Sequence, residues 1–311
     1  MQYSIGIDIG GTHTAFGIVD KQGLIVFQDK VMTREQESID DLIDAIYEKL
    51  QAPIANLGVS TIKGIGVGAP NGNFYNGTIE FAPNLPWKGI IPLTQLFQQK
   101  FDLHTIVTND ANAAAIGEMM YGAAKGMKDF IMVTLGTGVG SGFVANGKMI
   151  YGHDGFAGEL GHVIAVREGR PCGCGRKGCL ETYASATGIV RTANEYLQHS
   201  EAPCLLRQQE EISAKSIYEA AQAGDEMALA IFDVTGKILG QALADAVAIT
   251  SPQAIILFGG LAQAGSFLFG PTKQYFEDNL LIIYKNKIDI LPSELKESDV
   301  AILGAAALVW S

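Results

Sequence analysis

The apolar positions of this chain follow one scheme that is used twice. Residues 3–9 (YSIGIDI) form a β-branched run that ends in Gly10-Gly11, and residues 14–20 (TAFGIVD) repeat the habit. After the Lys21-Gln22-Gly23 turn, LIVFQDKV makes a third run, so three antiparallel strands are expected. Ser38 then precedes Ile39, Leu42, Ile43, Ile46, Tyr47 and Leu50, which share one face at helical spacing and predict a capped helix. Residues 65–68 read as a short buried strand, and Asn76-Gly77 as a hairpin turn between Phe74-Tyr75 and residues 78–81. A rigid loop at 83–86, a helix at 93–100 and a strand at 104–108 follow. Asn109-Asp110-Ala111-Asn112 ends that strand, and an alanine-rich helix begins there.

From residue 130 the opening scheme returns. Residues 130–135 run into Gly136-Thr137-Gly138, residues 139–145 run back, Asn146-Gly147 turns, and residues 148–151 continue. The recurrence predicts an α/β protein of two related halves with a cleft between them. The expected division is a smaller N-terminal domain of residues 1–111 plus 303–311, and a larger one over 112–302. Helices are expected at 182–197, 213–223, 225–249 and around 272–281, strands at 254–258 and 299–302, and an apolar terminal helix at 304–310.

The chain has 311 residues, 48% of them hydrophobic, enough for two domains with large cores. A net charge of −11 disfavours nucleic acid and anionic membranes as partners and suits a small ligand. No uninterrupted apolar run of spanning length and no signal peptide are read from the sequence, so a cytoplasmic protein is expected.

Three cysteines, Cys172, Cys174 and Cys179, crowd into one short stretch with His162 upstream. Three thiols and one imidazole are a tetrahedral Zn²⁺ ligand set. Four protein ligands leave no place for a reacting water, so the zinc is expected to be structural. Its task would be to fix a loop bracketed by Glu159 and Glu181. A Cys172–Cys174 disulfide would close an awkwardly small ring, and a nucleic-acid-binding zinc ribbon would need a basic domain. Cys204 reads as an ordinary, partly buried residue.

The Asp8-Ile9-Gly10-Gly11-Thr12 turn can gather backbone N–H groups into an anion site, with Thr12 and Thr14 as hydroxyl donors and Asp8 holding Mg²⁺ through water. Alone it could be a tight hairpin and nothing more. Gly136-Thr137-Gly138 is a second such turn at the equivalent place, and the pair is far more specific. Neither turn is a Walker A loop or a Rossmann fingerprint, since each leads into a strand. Gly259-Gly260 after a buried strand would suit the flat face of adenine, although such glycines often only start a helix. Asp110 can be a general base or a helix cap, and Asn112 is expected to take the structural work that leaves Asp110 free.

Taken together, DIGGT at 8–12, PNL at 83–85, NDAN at 109–112, LGTGVGSG at 135–142, GELGH at 158–162, CGCGRKGCLE at 172–181 and FGG at 258–260 resemble the bacterial sugar kinases of the ROK family. The motifs run in family order through nearly the whole chain. The resemblance implies an actin-like ATPase fold of two duplicated ribonuclease-H-like domains with ATP in the interdomain cleft. It implies Asp110 as the base that takes the proton of a sugar hydroxyl, and Asn84, Asn109, Asp110, Glu159, His162 and Glu181 as sugar contacts. His162 would give one ring nitrogen to zinc and the other to sugar. Gly10, Gly11, Thr12, Gly136, Thr137 and Gly138 would surround the phosphates. Glucose, at its 6-hydroxyl, is the expected substrate; kinases of fructose, N-acetylmannosamine, N-acetylglucosamine and allose share most of these motifs. Polyphosphate-using members generally look different across the cysteine stretch, which favours ATP. Sugar-responsive repressors of the family add a helix-turn-helix domain in front, for which a first strand at Tyr3 is expected to leave no room. A homo-oligomer, dimer or tetramer, is implied as well. Three positions depart from the family's pattern: His13 stands where lysine is frequent, Asn71 interrupts a usual Pro-Gly, and Leu261 replaces a common third glycine.

Overall fold

The computed structural model describes residues 1–296 and 298–310. Strands β1 (Tyr3–Ile9), β2 (His13–Asp20) and β3 (Ile25–Met32) form the expected antiparallel meander. Helix α1 (Ile39–Leu57) starts in a capping box, in which Ser38 Oγ accepts the Asp41 N–H and the Asp41 carboxylate accepts the Ser38 N–H. The chain returns in β4 (Ile62–Gly68), parallel to β1. Short strands β5 (Gly72–Asn73), β6 (Thr78–Glu80) and β7 (Ile90–Ile91) make a separate small sheet. The first arm of that hairpin is therefore Gly72-Asn73 instead of Phe74-Tyr75, whose place in the turn is fixed by Asn73 Oδ1 accepting the Tyr75 and Asn76 N–H groups. Helix α2 (Leu93–Phe101), strand β8 (Thr105–Thr108), parallel to β4, and helix α3 (Asp110–Tyr121) follow.

The second round comprises β9 (Phe130–Leu135), β10 (Val139–Ala145), β11 (Lys148–Met149), helices α4 (Glu181–Ala184), α5 (Ala186–His199), α6 (Ala214–Gln222) and α7 (Glu226–Thr250), strand β12 (Ala254–Phe258), helix α8 (Ser266–Asn279) and strand β13 (Asp289–Pro292). Helix α9 (Val300–Ala307) closes the chain. The two sheets have the orders β3-β2-β1-β4-β8 and β11-β10-β9-β12-β13, the same arrangement twice. This is the duplicated ribonuclease-H-like architecture of the actin-like ATPase fold.

Two compact units divide the chain: Met1–Met127, Gly142–Gly158 and Ser293–Ser311 in one, Lys128–Ser141 and Glu159–Pro292 in the other. The boundary expected at residue 111 is thus displaced. Helix α3 stays with the N-terminal unit because it packs on α9 and β4, and the division passes through β10. In the first unit Ile5, Ile7, Phe16 and Ile18 of the sheet meet Leu42, Ile46 and Leu50 of α1 in one core. In the second, α7 packs along α8 and buries Leu239 and Leu243. At 25 residues α7 is long and apolar enough to cross a membrane by length and composition, but Asp233, Lys237 and Asp245 interrupt it and 61% of its most apolar window is buried in protein.

Two further expectations are overturned. Residues 299–302 are not a strand: they belong to the start of α9, whose small residues let its backbone lie on the sheet where Gly6 and Gly66 have no side chains. The fifth strand of the second sheet is β13, for which no expectation existed. The helix expected at 182–197 is broken. Ser185 is extended, and its Oγ accepts the Gly188 N–H to start α5 afresh.

Candidate active site

In the first unit the functional residues gather at the carboxyl ends of parallel strands. Asp8 near the end of β1 stands opposite Gly68 of β4, which stands opposite Thr108 at the end of β8. Asp110 opens α3 two residues later. Its carboxylate accepts the Ala111 N–H at 2.8 Å, but so does Asn109 Oδ1, also at 2.8 Å, and Asn109 is the N-cap. Asn109 therefore does the structural work assigned in the sequence reading to Asn112. Asn112 is buried in α3, with its Nδ2 3.4 Å from Thr108 Oγ1.

Desolvation pushes the Asp8 carboxyl up to about 7, and the nearby Asp110 charge adds to the rise. Asp110 is raised as well, by desolvation, although its side chain is exposed in this structure, against the lowering pull of the Ala111 N–H. A carboxyl at Asp8 whose ionisation is opposed by the Asp110 charge makes a place where a divalent cation would be welcome, so the donor set fits Mg²⁺.

Gly10 donates to His13 O at 3.0 Å and closes the first glycine turn. Gly11 is a close-approach position: a Cβ there would lie 2.5 Å from the Asn84 carbonyl oxygen. The turn and the Asn84 loop are thus packed backbone against backbone. Thr12 is half-buried, and its carbonyl accepts the Thr33 N–H. Thr14 does not belong to the site. Strand alternation turns it inward, where it is fully buried and its hydroxyl bonds Thr33 Oγ1 at 2.8 Å.

The second unit places its glycine turns likewise. Gly136 N–H donates to Gly138 O at the end of β9, and β12 ends beside it in Gly259, whose backbone touches Leu135. A Cβ on Gly138 would collide with the Glu181 carboxylate, whose Oε2 accepts the Val139 N–H at 3.1 Å. Glu159 is exposed, and its carbonyl accepts the His162 N–H.

His162, Cys172, Cys174 and Cys179 converge, with all four donor atoms within 4.8 Å of one another. Cys174 Sγ lies 3.7 Å from Cys179 Sγ, and Cys172 Sγ lies 3.7 Å from His162 Nδ1. Metal–sulfur bonds of about 2.3 Å in a tetrahedron give sulfur–sulfur edges of about 3.8 Å, so this set fits Zn²⁺. Burial pushes the Cys179 thiol up to about 12, and a bound cation is what would make it a thiolate. With Nδ1 toward the thiols, Nε2 lies on the far side of the ring. Gly175 and Gly178 adopt φ of 87° and 80°, as tight turns between the cysteines require, whereas Gly173 shows no such constraint.

The family model described as "ROK family" matches residues 4–311. This chain belongs to the ROK family. A glucokinase of Halalkalibacterium halodurans is 39% identical over 89% of this chain and 86% of its own length. One of Thermotoga maritima is 34% identical over 98% of this chain and 96% of its own length. Among solved structures, a ROK family glucokinase from Streptomyces griseus in complex with glucose and AMPPNP superposes with a TM-score of 0.81 at 34% identity, covering 98% of each chain.

Two of the three departures from the ROK pattern have local explanations. Asn71 takes the left-handed conformation glycine would take, with φ of 52°, and its Nδ2 donates to Glu80 O at 2.9 Å, so it staples β5 to β6. Leu261 is buried against β9, with its N–H on Leu135 O. His13 is exposed at the start of β2. Three residues near the ROK site escaped the sequence reading. Arg170 stacks on Tyr183 and donates to Thr182 O, Gly188 O, Thr192 Oγ1 and Glu195, tying the metal loop to α5. Ser185 and Thr187 lie where an unbroken helix was expected. The Ser-x-x-Gly spacing at 185–188 was the available signal.

Proposed function

We propose that this ROK-family sugar kinase transfers the γ-phosphoryl group of ATP to the 6-hydroxyl of glucose, with Asp110 as general base. The supporting observation is the Asp8–Asp110 pair at the carboxyl ends of β1 and β8. A carboxyl raised above its ordinary range is a better proton acceptor for an alcohol. As the sugar oxygen bonds to phosphorus, its proton passes to the Asp110 carboxylate and the bond to ADP breaks, giving sugar phosphate and ADP. Asn109 caps α3 and leaves the aspartate its lone pairs, while its amide NH₂ can donate to a sugar oxygen.

Asn84, Glu159, His162 Nε2 and Glu181 supply the remaining polar groups for sugar hydroxyls. The glycine turns at 10–12 and 136–138 supply N–H groups for phosphate oxygens, and Gly259-Gly260 a flat surface for the base. Mg²⁺ near Asp8 would neutralise charge on the phosphates. Zn²⁺ would be held by His162, Cys172, Cys174 and Cys179 and would supply rigidity. Glucose rather than another hexose is favoured by the names of the relatives. The test is ADP release with Mg-ATP over a panel of glucose, fructose, N-acetylmannosamine, N-acetylglucosamine and allose. Glucose should give the highest kcat/KM, and Asp110→Asn should lower kcat by at least about 10²-fold. A better substrate among the other sugars overturns the glucose assignment. Near-normal turnover by Asp110→Asn overturns the base.

A further inference from the structure

The glycine turn that ends β9 is held from behind by one short segment, and that segment is carried by the metal loop. Three bonds make the attachment. Glu181 Oε2 accepts the Val139 N–H at 3.1 Å. Ala186 N–H donates to Gly136 O at 2.8 Å. Thr187 Oγ1 donates to Thr137 O at 2.8 Å. Residues 136, 137 and 139 thus each have a partner between 181 and 187.

The break between α4 and α5 makes this possible. Ser185 leaves the helix, and its hydroxyl donates back to Glu181 O at 2.7 Å and accepts the Gly188 N–H at 2.9 Å. Ala186 and Thr187 are then the first two residues of α5, where an N–H has no partner inside the helix and is available to a neighbour. An unbroken helix over 182–197 would have spent the Ala186 N–H on its own turn. The segment is anchored in turn: Cys179 leads directly into it, and Arg170 donates to Thr182 O and Gly188 O on either side of the break.

We propose that Thr187 is a positioning residue for the phosphoryl donor. By bonding the Thr137 carbonyl it fixes the peptide unit between Thr137 and Gly138, so that the Gly138 N–H on its opposite edge faces a phosphate oxygen. This rests on the kinase reading above and extends it: the metal loop serves the nucleotide turn as well as the sugar. Thr187 itself is exposed and its side chain fills no core; its Oγ1 also lies 3.0 Å from Ser185 Oγ, whose own hydrogen goes to Glu181 O, so removing the hydroxyl tests polar contacts and not packing.

The experiment compares wild type, Thr187→Val and Thr187→Ser. Binding of Mg-AMPPNP is measured by titration calorimetry without sugar, and KM for ATP and for glucose by ADP release. Loss of one net hydrogen bond should weaken AMPPNP binding and raise the ATP KM by about three- to tenfold in Thr187→Val, leave the glucose KM within about twofold, and be reversed in Thr187→Ser. Unchanged AMPPNP affinity in Thr187→Val, equal rises in both KM values, or failure of serine to restore binding each overturns the proposal. If the wild type binds AMPPNP but phosphorylates no sugar, the kinase reading fails, while the calorimetric comparison still decides the role of Thr187.

Discussion

Replacing Asp8 with asparagine should make the protein more stable and less active, and the stability gain should depend on pH. Asp8 is raised from 3.8 to about 7 by desolvation first and by Asp110 second. A carboxyl whose folded pKa lies above its unfolded pKa favours folding only while protonated. Stability linked to Asp8 is therefore fully present below the unfolded value and is lost as pH rises through the window from 3.8 to about 7. About three pKa units correspond to a ceiling of about 4 kcal/mol. Relaxation and partial hydration of a half-buried group bring the expected cost to about 2 kcal/mol at pH 8. Asparagine keeps the shape and removes the charge. Asp8→Asn should raise the thermal midpoint at pH 8 by about 3 °C, with most of the gain gone at pH 4. Added Mg²⁺ should stabilise wild type more than the variant, and sugar-dependent ADP release should fall at least tenfold. A midpoint that drops, or rises equally at pH 4 and pH 8, refutes the electrostatic argument.

The metal loop and the Asn84 contact yield further expectations. Purified wild type should contain about one zinc per chain by elemental analysis, and Cys179→Ser should lose it and unfold at lower temperature; equal zinc in both proteins rules out the tetrahedral site. Gly11→Ala places a methyl 2.5 Å from the Asn84 carbonyl oxygen, so the Asn84 loop must move. The glucose KM should rise several-fold and stability should fall by about 1–3 kcal/mol, measured by steady-state kinetics and thermal denaturation; an unchanged KM would separate Asn84 from the sugar.

What could be read from the sequence follows physical lines. Alternating β-branched runs closed by glycine turns specify both meanders, because strand pairing and turn chemistry are local. The four metal donors were legible for the same reason: three of them lie within one loop. The misreadings fall where tertiary packing decides. Residues 299–302 have strand composition but become helix because Gly6 and Gly66 open room for a helix backbone. Thr14 looked like a phosphate donor because it follows the GGT turn, yet strand alternation turns it toward Thr33. The missed bracket at 185–187 needed a partner some fifty positions earlier in the chain, Thr187 on Thr137, and no local pattern announces that.

Asn109 shows how one position can settle a conflict between folding and chemistry. An aspartate at the first position of a helix is favoured by the helix dipole, and the N–H groups of that first turn lower its basicity. A general base needs the opposite. In this chain the N–H of Ala111 is shared between Asn109 Oδ1 and Asp110, so the neutral amide takes part of the donor that would otherwise hold the carboxylate alone. Desolvation then outweighs the remaining bond, and the Asp110 carboxyl moves upward. The adjacent Asn-Asp pair thus divides two tasks that a single aspartate would do badly together.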